Sequence, residues 1–384
     1  MPTAVTDAAG FDARKTRRYL LQRGFKPEKI VPCCYRPFDD RWLYWEPETS
    51  LLDRRREEYF PHIFDRNIWL AAVQQNRKNF DPPVVTRKLC SLHVIERGAN
   101  LFPAFLHLGT HDTGQPNVSR SSSKYLTDLA SGSTDVEILF NHVVATLYSP
   151  SYSSTNATAL RQGWPRIPLP TSKAALVQSA EIGHEIAVLL DVDTAIASVT
   201  RGKIRPELAV IAVASREGGG SLNPDAGDLD VTAGWGHSGN GGAVMPGKGK
   251  IVERDYTTEE RRRVAEGAAA LGLSDEQTLN LLGARTLDVY LNNIAYWKNI
   301  PARLWEYTIG GYQVIKKWLS YREREILERG LTTDEVHAVT EIARRIAAIL
   351  LLEPKFDANY EAVTRSTFRW PSSEGVSQNR RSAR

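Results

Sequence analysis

Cysteine is scarce in this sequence, and long apolar runs are missing. The three cysteines, Cys33, Cys34 and Cys90, are an odd number and include one adjacent pair. That arrangement suits neither a disulfide framework nor a spaced metal site, so we expect a protein of the reducing cytoplasm. No stretch approaches the roughly 20 apolar residues that a membrane-spanning helix needs, and the first residues lack the apolar core of a secretory signal. We therefore expect no membrane partner.

Motifs of nucleotide, metal and methyl-transfer chemistry are missing as well. There is no Gly-x-x-x-x-Gly-Lys-Ser/Thr phosphate loop, and the eight histidines show no zinc-ligand spacing. An amino-methyltransferase needs a Gly-rich strand-to-helix turn for S-adenosylmethionine and an Asn/Asp-Pro-Pro-aromatic loop for the target base. Asn223-Pro224-Asp225 lacks the second proline and the aromatic residue, and the Gly-rich segment 234–242 is predicted to be a loop. A lone histidine such as His142 is expected to be packed, and catalysis by this chain alone is not expected.

Positive charge is concentrated at the two ends of the chain. Residues 1–120 hold 19 Lys and Arg against 14 Asp and Glu, and residues 365–384 hold five against one, although the whole chain carries only +4. Counterion release supplies much of the free energy of nucleic-acid binding, so a basic front end suits contact with phosphates. A solvated surface that happens to be basic is the alternative, and charge alone does not decide between them.

The order of strand and helix signals predicts an α+β fold in four parts. Residues 1–125 contain a short amphipathic basic helix and then β-branched and aromatic runs, which predict a strand-rich front subdomain that reads DNA. Residues 126–200 predict a helical bridge, and residues 201–364 predict a small strand and Gly-rich loops followed by helices. The tail 365–384 has no periodicity, so we expect it to be disordered.

Several individual elements are expected with definite bounds. Apolar runs predict strands at 92–95 and at 208–214. The later patterns predict helices at 312–325 and at 333–352. Two capping boxes are expected to begin helices, namely Thr257–Glu260 and Thr332–Glu335.

Three passages of the chain carry motifs in a fixed order. They are Tyr35-Arg36-Pro37-Phe38-Asp39-Asp40-Arg41-Trp42-Leu43-Tyr44-Trp45, then Leu147-Tyr148-Ser149-Pro150-Ser151-Tyr152 with Trp164-Pro165-Arg166-Ile167-Pro168-Leu169-Pro170, and finally Trp305-Glu306-Tyr307-Thr308-Ile309-Gly310-Gly311-Tyr312 with Lys316-Lys317-Trp318-Leu319. In this order they resemble the C-terminal specificity region of the Type ISP restriction–modification enzymes and related adenine-specific N6 DNA methyltransferases. One departure is Ser153-Ser154-Thr155-Asn156, where the family has an Arg-rich helix start.

The resemblance implies that this chain is the target-recognition part of a larger enzyme that defends bacteria against phage. The parent enzyme methylates the exocyclic N6 amine of adenine with S-adenosylmethionine, whereas this chain is expected to bind no cofactor or metal. The implied partners are double-stranded DNA and a catalytic methyltransferase region, with helicase and nuclease regions, in the same or another polypeptide. The alternative is a non-catalytic partner subunit that binds DNA or a separate methyltransferase chain.

Basic and amide side chains are the candidate DNA contacts. Arginine suits phosphates and guanine, and Gln or Asn suits adenine. We expect segments 74–78 and 86–88 to read bases, and the arginine run 54–56 to contact DNA from one helical turn. A polar hairpin loop and a solvated charged face are the respective alternatives. The expected DNA-binding residues are Arg41, Tyr44, Arg54, Arg55, Arg56, Gln74, Gln75, Arg77, Lys78, Arg87, Lys88, Arg120, Lys316 and Lys317.

The motif residues themselves are expected to be partly structural. In the first motif, Phe38 and Trp42 are assigned to the core and Asp39 to an ion pair with Arg36, which leaves Arg41 and Tyr44 to face DNA. The segment 165–168 is expected to staple the two halves of the chain. In the third motif the two glycines permit a positive φ before a helix, and the lysines that follow lie either in solvent or near the DNA backbone.

Overall fold

The computed structural model describes residues 12–46, 52, 57–65, 67–75, 80–96, 98–109, 114–129, 135–239 and 244–370. These residues confirm the α+β fold, in which short strands predominate before residue 120 and every helix of twelve or more residues lies after it. The helices are α1 (Ala13–Arg23), α2 (Arg120–Asp128), α3 (Val136–Leu147), α4 (Pro150–Thr155), α5 (Ala157–Leu160), α6 (Lys173–Leu190), α7 (Pro206–Ala209), α8 (Thr258–Ala270), α9 (Asp275–Leu282), α10 (Ala302–Trp305), α11 (Val314–Ser320), α12 (Arg324–Leu327) and α13 (Thr333–Arg365).

The strands are short and form several small sheets. They are β1 (Ile30–Arg36), β2 (Asp39–Tyr44), β3 (Trp69–Ala72), β4 (Val84–Thr86), β5 (Leu89–Cys90), β6 (Asn100–Pro103), β7 (Phe105–Leu106), β8 (Gln115–Pro116), β9 (Val213–Arg216), β10 (Gly236–Ser238), β11 (Val244–Pro246), β12 (Ile251–Arg254), β13 (Thr286–Tyr290), β14 (Ala295–Pro301), β15 (Thr308–Ile309) and β16 (Tyr312–Gln313). In the described part of the chain, no helix combines the length and apolarity that crossing a membrane requires.

Two three-stranded sheets form the front of the molecule. Strands β1 and β2 make an antiparallel hairpin that turns at Pro37 and Phe38, and β5 pairs with β1 in parallel, so the sheet has the order β2-β1-β5. The second sheet has the order β4-β3-β6, with Trp69 fully buried on its central strand. The expected strand at 92–95 is wrong. Val94 and Ile95 are buried there in a turn, because they fill the core beneath the Gly310 backbone and pair with no neighbouring strand.

Helices α3 and α6, in the segment for which a helical bridge is predicted, pack closely against each other at one point. A Cβ atom on Gly183 would lie 1.8 Å from the carbonyl oxygen of Asn141, so only glycine allows this separation of the two helices. The buried Arg345 of α13 caps the other end of the bridge, because its guanidinium donates to the carbonyls of Val188, Leu189, Asp191 and Thr194 after α6. The bridge is therefore fixed to the last long helix.

The back of the molecule contains more strand than the sequence indicated. Strands β12, β13, β14 and β9 form an antiparallel sheet in that order. The expected strand at 208–214 is wrong, because Pro206 begins the short helix α7 and Ala212 has φ +50°, which leaves only Val213–Arg216 in the sheet. Leu208 and Ile211 are buried at a helical spacing of three residues, which explains the apolar run.

The last helices also differ from expectation. Residues 312–325 form the end of a hairpin, the short helix α11 and the start of α12, because Glu323 adopts a non-helical backbone (ψ 141°) that separates the two helices. Both expected capping boxes are confirmed, at Thr257–Glu260 and Thr332–Glu335. Helix α13 runs past Pro354 to Arg365, since Phe356, Tyr360 and Val363 continue its buried face.

Candidate nucleic-acid interface

The first and third sequence motifs meet in three dimensions. Hairpin β1–β2 contributes Tyr35, Arg36, Asp39 and Arg41, and the segment around α11 contributes Tyr312, Lys317, Tyr321 and Arg322. We call these eight residues the cation–tyrosine cluster. The rings of Tyr35 and Tyr321 meet edge to face at a centroid distance of 5.3 Å and form its centre.

The cations of the cluster lie over tyrosine faces. The Arg36 guanidinium is 4.2 Å from the Tyr35 centroid and 5.2 Å from that of Tyr312. The Arg41 guanidinium is 4.1 Å from Tyr35 and 4.7 Å from Tyr321, and the Lys317 ammonium is 4.6 Å from Tyr321. All of these separations are within the range in which the negative face of an aromatic ring attracts a cation.

The buried Asp39 carboxylate ties the two motifs together. It accepts hydrogen bonds from Arg41 at 2.8 Å and from Arg322 at 2.8 Å, and it is 2% exposed. The expected Arg36–Asp39 ion pair is therefore wrong. Arg36 donates instead to the Tyr35 carbonyl and to the Ser91 hydroxyl, because the bulge between Cys34 and Arg36 redirects the end of β1.

The cluster holds an excess of positive charge. Of its four cations, Arg41 and Arg322 contact Asp39, and two further carboxylates act on members of the cluster, Glu96 on Tyr312 and Glu335 on Arg322. Neither Arg36 nor Lys317 forms an ion pair with a carboxylate of the described residues. Burial, with Arg36 and Arg41 nearby, lowers the pKa of Lys317 below its usual value. The arrangement is suited to an anion.

Strand β2 exposes an aromatic residue that was expected in the core. Phe38 is buried, but Trp42 is 76% exposed and lies opposite Pro32 of β1. Strand residues alternate between faces, so Arg41 points away from Trp42, whereas Tyr44 shares the face of Trp42. Tyr44 is half-buried, and its hydroxyl is enclosed without a hydrogen-bond partner in the described part of the chain.

Helix α1 carries cations that the sequence reasoning did not single out. Arg14, Lys15, Arg17 and Arg18 are exposed, and none of them forms an ion pair with another described residue. Arg14, Arg17 and Arg18 share a face at i, i+3 and i+4, while Thr16 packs inward. The sequence signal that could have identified them is the concentration of four basic residues within positions 14–18.

The expected base-reading residues differ in their exposure to solvent and in the contacts that their side chains already make. Gln74 and Arg87 are exposed, and Gln75 donates only a 3.2 Å hydrogen bond to the carbonyl of Gln162. The Lys88 ammonium lies between two carboxylates, Asp40 and Asp193, each at 2.5 Å. These contacts raise the pKa of Lys88 against the opposing effect of burial, which keeps the ammonium charged.

The remaining expected contacts are distributed over other parts of the chain. Arg120 is exposed at the first turn of α2, and Lys316 is half-buried on α11 beside Lys317. Helix α11 begins at Val314, and Gly310 and Gly311 form the hairpin turn before it with φ +58° and +88°. Five expected contacts lie outside the described residues, namely Arg54, Arg55, Arg56, Arg77 and Lys78.

The second motif is structural where the structure describes it. Its backbone carbonyls are fixed by side chains of the bridge, since Tyr152 donates to the carbonyl of Arg166 and His142 Nε2 donates to that of Pro168. Burial lowers the pKa of His142 to about 4, so the ring is neutral and packed. Arg166 itself is exposed and has no ion pair among the described residues. Those residues also hold no group of His, Cys, Asp and Glu that suits a metal ion.

Comparisons with known proteins give a consistent family. The family described as the Type ISP C-terminal specificity domain matches residues 5–349. The chain is similar in fold to a DrdV–DNA complex solved by cryo-EM, at 19% identity and a TM-score of 0.54, covering 90% of this chain and 30% of that one. It is also similar to the ATP-dependent Type ISP restriction-modification enzyme LlaBIII bound to DNA. The identity is 13% and the TM-score 0.51, and the match covers 91% of this chain and 19% of that one. The comparison with curated proteins finds no match.

Proposed function

Because the chain belongs to the family of Type ISP C-terminal specificity domains, we propose that it recognises a target sequence in double-stranded DNA for a restriction–modification system. The family match over residues 5–349 carries this proposal. Two proteins of similar fold are described as DNA complexes, which supports the same ligand. The chain spans less than a third of the length of either of them.

The unpaired cations of α1 supply a physical means of binding DNA. A cation without a carboxylate partner loses no ion pair when it contacts a phosphate, and each such contact releases a condensed counterion. Arg14, Arg17 and Arg18 follow one helix face, which suits contact with successive phosphates of one strand. These contacts position the protein, and base contacts from other side chains specify the sequence.

We propose further that the selected base is an adenine, methylated at N6 by a separate S-adenosylmethionine-dependent region. This chain contributes no cofactor-binding group to that reaction, and it acts in the cytoplasm, where invading phage DNA enters. The alternative is a non-catalytic subunit that binds DNA or a separate methyltransferase chain. The two are distinguished by adding the purified methyltransferase region in trans and measuring whether methylation becomes sequence-specific.

Salt-dependent binding to duplex DNA tests the role of α1. Replacing Arg14, Lys15, Arg17 and Arg18 by Gln is expected to weaken binding to all duplexes. The slope of log K against log salt should flatten by about 0.9 per lost phosphate contact. The matched control replaces Arg201, Lys203, Lys248 and Lys250, which are exposed cations of the back half without ion pairs in the described residues. An equal effect of both sets would show unspecific attraction and contradict the role of α1.

Selection from randomised duplexes tests the base-reading surface. Gln75→Ala and Arg87→Ala are expected to relax the preference at one base pair about ten- to a hundredfold, because a bidentate contact discriminates by about 1–3 kcal/mol. Arg77→Ala, outside the described residues, is tested with them. Affinity for unrelated duplexes should be unchanged. If all three variants select the parental sequence, the readers lie elsewhere, and the exposed Arg120 with its preceding loop is examined next.

A further inference from the structure

We propose that Arg36, Arg41 and Lys317 form a seat for one phosphate group, inside the cation–tyrosine cluster. The proposal rests on the proposed function in one respect, that the group is a phosphodiester of bound DNA. The seat joins hairpin β1–β2 to α11, so a single phosphate would contact the first and third sequence motifs at once.

The geometry places three positive charges around one ring. The Arg36, Arg41 and Lys317 charges lie 5.7, 4.7 and 4.6 Å from the centroid of Tyr321. The Arg36 and Arg41 guanidinium groups also lie 4.2 and 4.1 Å from the centroid of Tyr35. Asp39 offsets the charges of Arg41 and Arg322, which leaves Arg36 and Lys317 without a carboxylate partner among the described residues. A phosphate oxygen accepts hydrogen bonds from several donors at once and would reduce the remaining repulsion.

Lys317 is the residue of the seat whose hydrogen-bond donors have no acceptor among the described residues. It is half-buried, and its ammonium has no hydrogen-bond acceptor and no carboxylate among the described residues, only the rings of Tyr312 and Tyr321. Arg41 remains 37% exposed at its side chain beside the buried Asp39, so the seat is open to a ligand on that side. Four cations against Asp39, Glu96 and Glu335 still leave the cluster with more cations than carboxylates. A half-buried ammonium without an acceptor is the feature that a phosphate would satisfy.

The first arm of the test measures duplex DNA binding against salt. Lys317→Met keeps the packing of the aliphatic stem and removes the charge. It should flatten the salt slope by about 0.9, so the loss of affinity between 50 and 200 mM salt becomes about threefold smaller. Lys317→Arg should restore the slope. Lys250→Met is the matched control, because Lys250 also lies over a tyrosine, 4.2 Å from the Tyr290 centroid, but has no arginine in that contact.

The second arm uses inorganic phosphate and sulfate without DNA. The thermal midpoint of the full chain is measured in each salt and in sodium chloride at equal ionic strength. Both anions stabilise proteins generally through exclusion from the surface. We expect the gain in wild type and in Lys250→Met to exceed the gain in Lys317→Met, since only the first two hold a complete seat.

The two arms separate the outcomes. A reduced slope together with a reduced anion effect, both specific to Lys317→Met and reversed by Lys317→Arg, supports the seat. A reduced anion effect with an unchanged slope overturns the assignment to DNA and leaves a site for a free anion. If neither quantity changes, the seat itself is overturned. If wild type binds no duplex at all, the proposed function fails, and the anion arm alone then decides whether the seat exists.

Discussion

Replacing Asp39 by Asn is expected to destabilise the fold by about 3 kcal/mol, because it leaves two cations without their shared carboxylate. The carboxylate is 2% exposed and accepts 2.8 Å hydrogen bonds from Arg41 and from Arg322. The contact with Arg322 joins residues 283 positions apart in the chain. The loss therefore affects the junction between the front sheet and the back of the molecule.

The magnitude follows from how deeply each partner is buried. Breaking a buried ion pair from one side costs about 3–5 kcal/mol, whereas an exposed pair contributes about 0–1 kcal/mol. The Arg322 side chain is 12% exposed and belongs to the first class, but Arg41 at 37% is partly solvated after the change. We therefore expect the lower end of the buried range.

Urea unfolding followed by circular dichroism measures this cost. Asp128→Asn is the control, because Asp128 forms an exposed i, i+4 pair with Lys124 and should cost about 0.3–0.5 kcal/mol. The slope of the free energy of unfolding against urea should be the same for both variants, which shows that the unfolded states are comparable. A cost for Asp39→Asn below about 1 kcal/mol would refute the reasoning, because the pair would then behave as a surface contact.

Three further predictions concern the rest of the chain. Burial lowers the pKa of His142 to about 4 from 6.5, so the unfolded state binds more protons between these values. Stability should fall by about 3 kcal/mol as pH drops through this window, and His142→Asn should remove that loss in urea unfolding. Gly183→Ala should cost about 1–3 kcal/mol, because overpacking outweighs the gain in helix propensity, and any stabilisation contradicts this. The pure chain should transfer no labelled methyl group from S-adenosylmethionine to DNA.

Helix starts and helical segments that depend on neighbouring residues could be predicted from the sequence. Both capping boxes, at Thr257 and Thr332, begin helices as expected, because the Ser/Thr side chain and the Glu three residues later satisfy orphan backbone groups without distant partners. Helices α3 and α6 lie within the segment 126–200, which the helical pattern predicts to be a helical bridge. The α+β class follows from these elements together with the strand-rich front.

Elements whose residues depend on distant contacts were not predictable in this way. The apolar run at 208–214 has the composition of a strand, but its buried residues lie at helical spacing after Pro206. Trp42 has the composition of a core residue, yet strand alternation places Arg41 toward the cluster and leaves Trp42 exposed. In both cases the sequence shows that a residue is apolar but not which neighbour covers it.

The cation–tyrosine cluster shows the same limit at the candidate site. The first motif has Arg36 next to Tyr35 and the third has Lys316 four residues after Tyr312, and each taken alone is compatible with ordinary solvated cations. The meaning changes when Asp39 of the first motif is found to bind Arg322 beyond the third, because this contact places Lys317 against two arginines. Repulsion among cations that the fold brings together would be reduced by an anion bound between them. Neither motif by itself shows that its cations will meet those of the other. A test of Lys317 with and without phosphate is therefore needed to distinguish a purely structural junction from a binding site.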